Sequence, residues 1–281
     1  MTISEVQIDV PVLGEAQSIY VIRHGDRWDY QYPEWSDSAK RRGDPPLSKL
    51  GHDQARETGI FLDSLLRADG FTTAEGITWL SSPFLRTLQT SDAAINAFTK
   101  VDSNGLLINA EYSIFELDGY NGILHKDLPT IEERKCYFPR LNEAYESIFV
   151  PILPEARADF LTRCDKAVMG MNHRFPYSPR SAIVVVTHAA ACIGISRAAS
   201  NMTLQDVNAV GPCSVTRLTR TSNTPIWNLD HYAKEGGLNG YVAHLKDMGT
   251  FTHPWNNFGD KDVNKGYTGP PQDRKKAKSE L

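Results

Sequence analysis

One stretch of the chain constrains its fold more than any other. The run AIVVVT at 182–187 is continuously apolar and β-branched and ends directly in His188. Without polar alternation it does not suit a sheet with one wet face. It suits a strand covered on both sides, as in a parallel sheet between helices. Three weaker segments read the same way. Residues 18–23 (SIYVIR) run into His24-Gly25, residues 77–80 (ITWL) stop at Ser81-Ser82-Pro83, and residues 106–110 precede the acidic stretch 111–119.

Helical patterns lie between these strands. After Ser48, the residues Ala55, Gly59, Leu62 and Leu66 fall at steps of four, three and four, and Gly70 supplies a stop. Ser82-Pro83 reads as an N-cap followed by a first-turn proline, opening a helix that turns Leu85, Leu88 and Ala93 inward. From 154 to 173, Phe160, Cys164, Val168 and Met171 again keep helical spacing. Alternation of strand and helix predicts an α/β sandwich with a mostly parallel central sheet.

Two regions depart from that rhythm. Residues 118–154 mix glycine, proline and aromatics and read as an inserted cap over one sheet edge. Residues 236–281 read as an extension, flexible and basic (RKKAK) from about 260. The expected organisation is an N-terminal arm at 1–17, a domain at 18–235 carrying the insert, and this extension. Within it, FTHPWNNF at 251–258 and the basic tail are candidate docking features for a protein partner.

Composition excludes several classes. Thirty basic against 34 acidic side chains give a net charge of −4, so no global positive field recruits nucleic acid or an anionic membrane. The longest apolar stretch, 182–195, is broken by His188 and is shorter than the roughly 20 residues of a spanning helix. The N-terminal residues carry acids and lack a long apolar run, so a secretory signal is not expected. Cys136, Cys164, Cys192 and Cys213 form no CxxC pair and no metal-ligand spacing, and read as reduced thiols in an intracellular protein, cytoplasmic or nuclear.

Open α/β sheets place their chemistry at the carboxyl ends of the strands. Applied here, that rule gathers Arg23, His24 and Arg27 from the first strand, Arg86 from the helix after the second, and His188 from the fourth. Glu116, in IFELDGY, follows the third. Guanidinium forks match the oxygens of a phosphoryl dianion. Inside such a field one neutral imidazole can attack phosphorus, while a second, kept protonated by the anion, stabilises equatorial charge. A carboxylic acid such as Glu116 then protonates the leaving oxygen. No ligand cluster points to a metal or other cofactor.

At these residues the chain resembles the histidine phosphatase, or phosphoglycerate-mutase-like, superfamily. VIRHGDR carries its RHG signature, and DPPLSKLGHDQA, SSPFLRTLQT, IFELDG and VVVTHAA agree with it in order and rough spacing over residues 18–219. The resemblance implies a three-layer α/β/α sandwich and a metal-independent phosphohistidine mechanism. It implies His24 as nucleophile, Arg23, Arg86 and His188 as phosphate ligands, and Glu116 as acid/base, with Glu111 and Asp118 as competitors. The chain is especially similar to a branch 1 group. That group holds ubiquitin-associated, SH3-containing tyrosine phosphatases, insect steroid-phosphate phosphatases and a fungal phosphatase-like tau transcription factor subunit. There the arginine matching Arg27 also binds phosphate. Asp26-Arg27-Trp28-Asp29 stands where glycolytic mutases carry a serine or threonine and then tryptophan-asparagine, which argues against a mutase.

The expected activity is hydrolysis of a phosphomonoester, on a phosphorylated small molecule or a phosphopeptide. The alternative is a phosphatase-like binding subunit of a larger assembly; a homodimer is compatible with either. Tyr120, Tyr137, Phe138 and Tyr145 of the insert are candidates to receive an aromatic leaving group, or else form a satellite core.

Overall fold

A computed structural model describes residues 15–117, 127–202, 210–229 and 241–249. The arm before residue 15, Asp118, Tyr120, the 251–258 segment and the basic tail lie outside the described residues. The elements, in chain order, are β1 (Gln17–Arg23), α1 (Trp28–Gln31), α2 (Trp35–Ser38), α3 (Lys49–Ala68), β2 (Ile77–Ser81), α4 (Leu85–Ile95) and β3 (Ile108–Ala110). A 3-10 turn at Tyr112–Ile114 follows, then α5 (Ile131–Lys135), α6 (Arg157–Arg174), β4 (Ser181–Thr187), α7 (Ala189–Ser200), β5 (Val215–Arg220) and β6 (Asn228–Leu229).

The strands form one sheet in the order β3-β2-β4-β1-β5-β6. β3, β2, β4 and β1 are parallel, and β5 and β6 add an antiparallel margin. The continuous run is therefore the middle of the sheet, between β2 and β1. Its side chains divide by pleat. Ile183 and Val185 join Ile19 and Val21 against α6 and α7, through Phe160, Cys164, Val168, Met171 and Ile193. Val184 and Val186 join Tyr20, Ile22 and Trp79 against α3 and α4, through Phe61, Leu62, Leu65, Leu66 and Leu88. These are the three layers α/β/α, and a strand buried on both faces needs no polar alternation.

Local signals set most boundaries. Ser48 caps α3, its side chain accepting the Gly51 N–H at 3.0 Å. The second expected cap is replaced. α4 begins after Phe84, not Ser82, and the Leu85 N–H is met by Asp44 Oδ1 at 2.7 Å. Ser82 instead turns its hydroxyl to His188, and Thr87 Oγ1 donates back to the Ser82 carbonyl at 2.6 Å.

The insert packs along the free edge of β3. Ile108 makes a parallel bridge with Leu141, its N–H donating to Arg140 O and its carbonyl accepting from Asn142 N–H, both at 2.8 Å. Of the insert's candidate aromatics that the structure describes, two are held by the domain and one is exposed. Phe138 is buried in the core, Tyr145 Oη donates to Glu111 at 2.6 Å, and Tyr137 is 81% exposed. Within the expected extension, residues 241–249 return to the domain. Tyr241 bridges Val215 of β5, and the His244 ring stacks on Phe61 of α3 at 4.5 Å. Among the described residues no helix is long and apolar enough to cross a membrane.

Candidate active site

Strand register assembles the site. In the β1–β4 ladder Arg23 stands opposite Thr187, so the next residues, His24 and His188, emerge side by side, with ring centroids 5.4 Å apart. Ser81 pairs with Val186 on the other side of β4, and Ala110 of β3 pairs with Ser81. The ladder bonds continue past the strand ends. His24 N–H donates to Thr187 O, Ser82 N–H to Val186 O, and Glu111 N–H to Ser81 O, at 2.8–2.9 Å. Four strand exits thus reach one edge together.

The loop after β1 is seated by backbone contact. A Cβ on Gly25 would lie 2.5 Å from the Gly51 carbonyl oxygen, and one on Gly51 would lie 2.1 Å from that of Asp26. Only glycine permits this approach of α3 to the histidine loop. From α4, Thr90 Oγ1 accepts the Gly25 N–H at 3.1 Å and Gln89 Oε1 accepts that of Leu47 at 2.8 Å. The motif blocks are thus physically one unit.

Each imidazole is held in one tautomer. His24 Nδ1 lies 2.7 Å from the Gly25 carbonyl, which can only accept, so Nδ1 carries the proton and Nε2 keeps its lone pair. Arg86 can only donate, so His188 Nδ1 accepts from Arg86 Nη2 at 3.1 Å and Nε2–H faces Ser82 Oγ at 2.8 Å. Burial, then Arg86, Arg23 and Arg27, push His24 well below its ordinary value; burial, then Arg86 and His24, do the same to His188. The protein's own groups therefore favour two neutral imidazoles, and protonation of the second, as expected above, depends on the charge of a bound anion.

The other expected residues converge as well. Arg86 is fully buried, and its Nη2 also lies 3.4 Å from Glu116 Oε2, which in turn is 3.3 Å from His188 Nδ1. Arg23 is 1% exposed and donates through Nη1 to Val210 O at 2.9 Å. Arg27 is equally buried, but its fork is taken by Asp29, at 2.9 and 2.7 Å, with Nη1 3.3 Å from Tyr30 Oη. Of the competing acids, Glu111 serves structure. It caps the 3-10 turn through the Ser113 N–H and accepts from Ile148 and Tyr145.

His24, Glu116 and His188 place ligand atoms within 4.8 Å of one another, a spacing that can suit a cation. Sign decides against it, because the groups acting on both imidazoles include Arg86 and Arg27. A pocket walled by guanidinium groups attracts anions. Sequence reasoning missed Asp44, Asp29, Ser82, Thr90 and Arg163 as supports. Asp44, Ser82 and Thr90 lie within the recognised motif blocks.

A family model for the histidine phosphatase superfamily (branch 1) matches residues 19–232. Among solved structures, the ecdysone phosphate phosphatase from Bombix mori, in complex with tungstate, aligns with TM-score 0.61 at 16% identity. It covers 84% of this chain and 97% of that one. Mycobacterial hydrolase 1 aligns at 0.51 and 20% identity over 81% of this chain and 100% of its own. YhfR of Bacillus stearothermophilus aligns at 0.50 and 17% identity over 82% and 100%. At these identities the structural likeness speaks to the fold. A search of curated proteins gives no match.

Proposed function

The chain belongs to the histidine phosphatase superfamily (branch 1), and on that premise we propose that it hydrolyses phosphomonoesters through a phosphohistidine on His24, without a metal. The observation that carries this reading is the His24 tautomer. Nδ1–H donates to the Gly25 carbonyl, and burial with three arginines keeps the ring neutral, so Nε2 offers a lone pair where an anion is attracted.

In the proposed cycle His24 Nε2 attacks phosphorus and the bond to the ester oxygen breaks. Glu116, protonated, gives its proton to that oxygen as the alcohol leaves. Water then attacks the phosphoryl group and loses its proton to the Glu116 carboxylate. The P–N bond breaks, the neutral imidazole returns, and inorganic phosphate departs. Arg23 and Arg86 hold the equatorial oxygens, and buried Arg27 adds its charge to the field on both imidazoles. The arriving dianion raises the proton affinity of His188, whose Nδ1 already faces both Arg86 and Glu116.

The test is trapping. Rapid mixing with p-nitrophenyl phosphate followed by an alkaline quench, which preserves phosphohistidine, should leave a phosphoryl group on the peptide containing His24. His24→Ala should fold normally, give no such adduct and show no turnover. Wild-type turnover in that variant would sink the proposal.

A further inference from the structure

Glu116 sits on a stretch of almost no regular structure, yet a proton donor must be held within hydrogen-bond reach of the leaving oxygen. Among the described residues, 115–117 after the three-residue 3-10 turn have no helical or strand ladder to fix them. The carbonyls of the stretch are nonetheless met in succession. Arg163 Nη1 donates to Ser113 O at 2.9 Å and Phe115 O at 3.0 Å, and Nη2 donates to Glu116 O at 3.2 Å. The intervening Ile114 O accepts from Thr187 Oγ1 at 2.7 Å, one residue before His188. Four consecutive carbonyls are thereby pinned to α6 and β4.

The guanidinium that does this is itself fixed. Glu155 receives its Nε at 2.9 Å and its Nη2 at 2.6 Å, and the side chains of both residues are 4% exposed. These contacts use all five N–H donors of Arg163. The Glu155 carboxylate balances a charge that would otherwise be costly to bury. Lysine has the charge but lacks the planar fork, and with three donors it cannot reproduce the set.

We propose that Arg163, braced by Glu155, is the positioning residue of Glu116: it sets where the acid's carboxyl stands relative to the leaving oxygen and touches no substrate itself. The proposal rests on Glu116 being the proton donor. A structural role alone would lower turnover of every ester alike. A positioning role must instead appear where protonation matters most, with poor leaving groups.

The experiment compares kcat for p-nitrophenyl phosphate and a simple alkyl phosphate in the wild type, Arg163→Lys, Glu155→Gln, Glu116→Gln and Arg163→Lys/Glu116→Gln. Arg163→Lys should lose up to about 100-fold more on the alkyl ester than on the aryl ester. It should add little further loss on the alkyl ester once Glu116→Gln is present. Glu155→Gln, which keeps Arg163 and its carbonyl contacts, should show the same selectivity to a smaller degree and decides the matter if Arg163→Lys does not fold. Equal losses on both esters in these variants, while Glu116→Gln discriminates between them, overturn the positioning role. If Glu116→Gln itself fails to discriminate, the acid assignment is what falls, and the positioning role with it.

Discussion

Asp44 Oδ1 accepts the backbone N–H of Leu85, so the helix that carries Arg86 is capped by a carboxylate far away in sequence. The other oxygen of the same group accepts from Arg134 Nη2 at 2.7 Å, and Arg86 Nη1 lies 3.9 Å from Oδ1. One buried carboxylate therefore ties the insert, the start of α4 and the phosphate-facing arginine.

Removing it should be felt in both stability and activity. Asp44→Ala loses a cap, worth about 1 kcal/mol, and leaves Arg134 buried without its carboxylate, a break of about 3–5 kcal/mol. Asp44→Asn keeps an acceptor for Leu85 and should fall between. Urea melts check the order wild type, Asn, Ala; coincident midpoints for wild type and Ala would contradict it.

Arg86 depresses both imidazoles. Arg86→Met should let each rise toward 6.5, so protonation of the nucleophile begins at higher pH. The acid limb of kcat/KM for an aryl phosphate moves to higher pH, and activity falls by about 10²–10³-fold. An unmoved limb would show that Arg86 does not set the imidazole titration.

Oxyanion binding should stabilise the fold, because a bound dianion relieves repulsion among buried guanidinium groups. Orthovanadate at one hundred times its Kd should add about 2.7 kcal/mol, read as a rise in Tm. Sodium chloride at matched ionic strength should not reproduce it, and Arg86→Met should reduce it.

His244 predicts acid sensitivity away from the site. Burial lowers its imidazole from 6.5 to about 3, with Nε2 2.9 Å from Thr58 Oγ1 and the ring on Phe61. Its folded value lies below the unfolded one, so stability is full above pH 6.5. It declines as the pH falls from there toward 3, by about 1.4 kcal/mol per unit for one such group. His24 and His188 act in the same sense. His244→Phe should flatten the loss between pH 7 and pH 5 in denaturant melts.

The parallel half of the sheet was legible because burial on both faces leaves a continuous apolar run, as in β4. The antiparallel margin was not. β5 reads VTRLTR, and its buried arginines find polar partners across the fold, Arg217 in Asp69 and Arg220 Nε in Gln17 Oε1 at 2.7 Å. Both partners are distant in sequence, and their pairing follows no short-range pattern. The site divides in the same way. His24, Arg86 and His188 could be placed by the rule of strand exits, whereas Arg163 looks like any solvated helical arginine until the fold brings Ser113, Phe115 and Glu116 to it. The start of α4 was misplaced for a related reason, since a cap from Asp44 leaves no local trace.

The Gly25–Gly51 contact limits how this site can change. Backbone meets backbone there, so no rotamer can relieve an added methyl on either side. The histidine loop and the start of α3 behave as one heritable part: neither can drift alone, and a single back-substitution cannot rescue its partner. Transplanting the first motif into another α/β scaffold without the helix start that faces it would carry over the reactive residues but not the spacing that seats them.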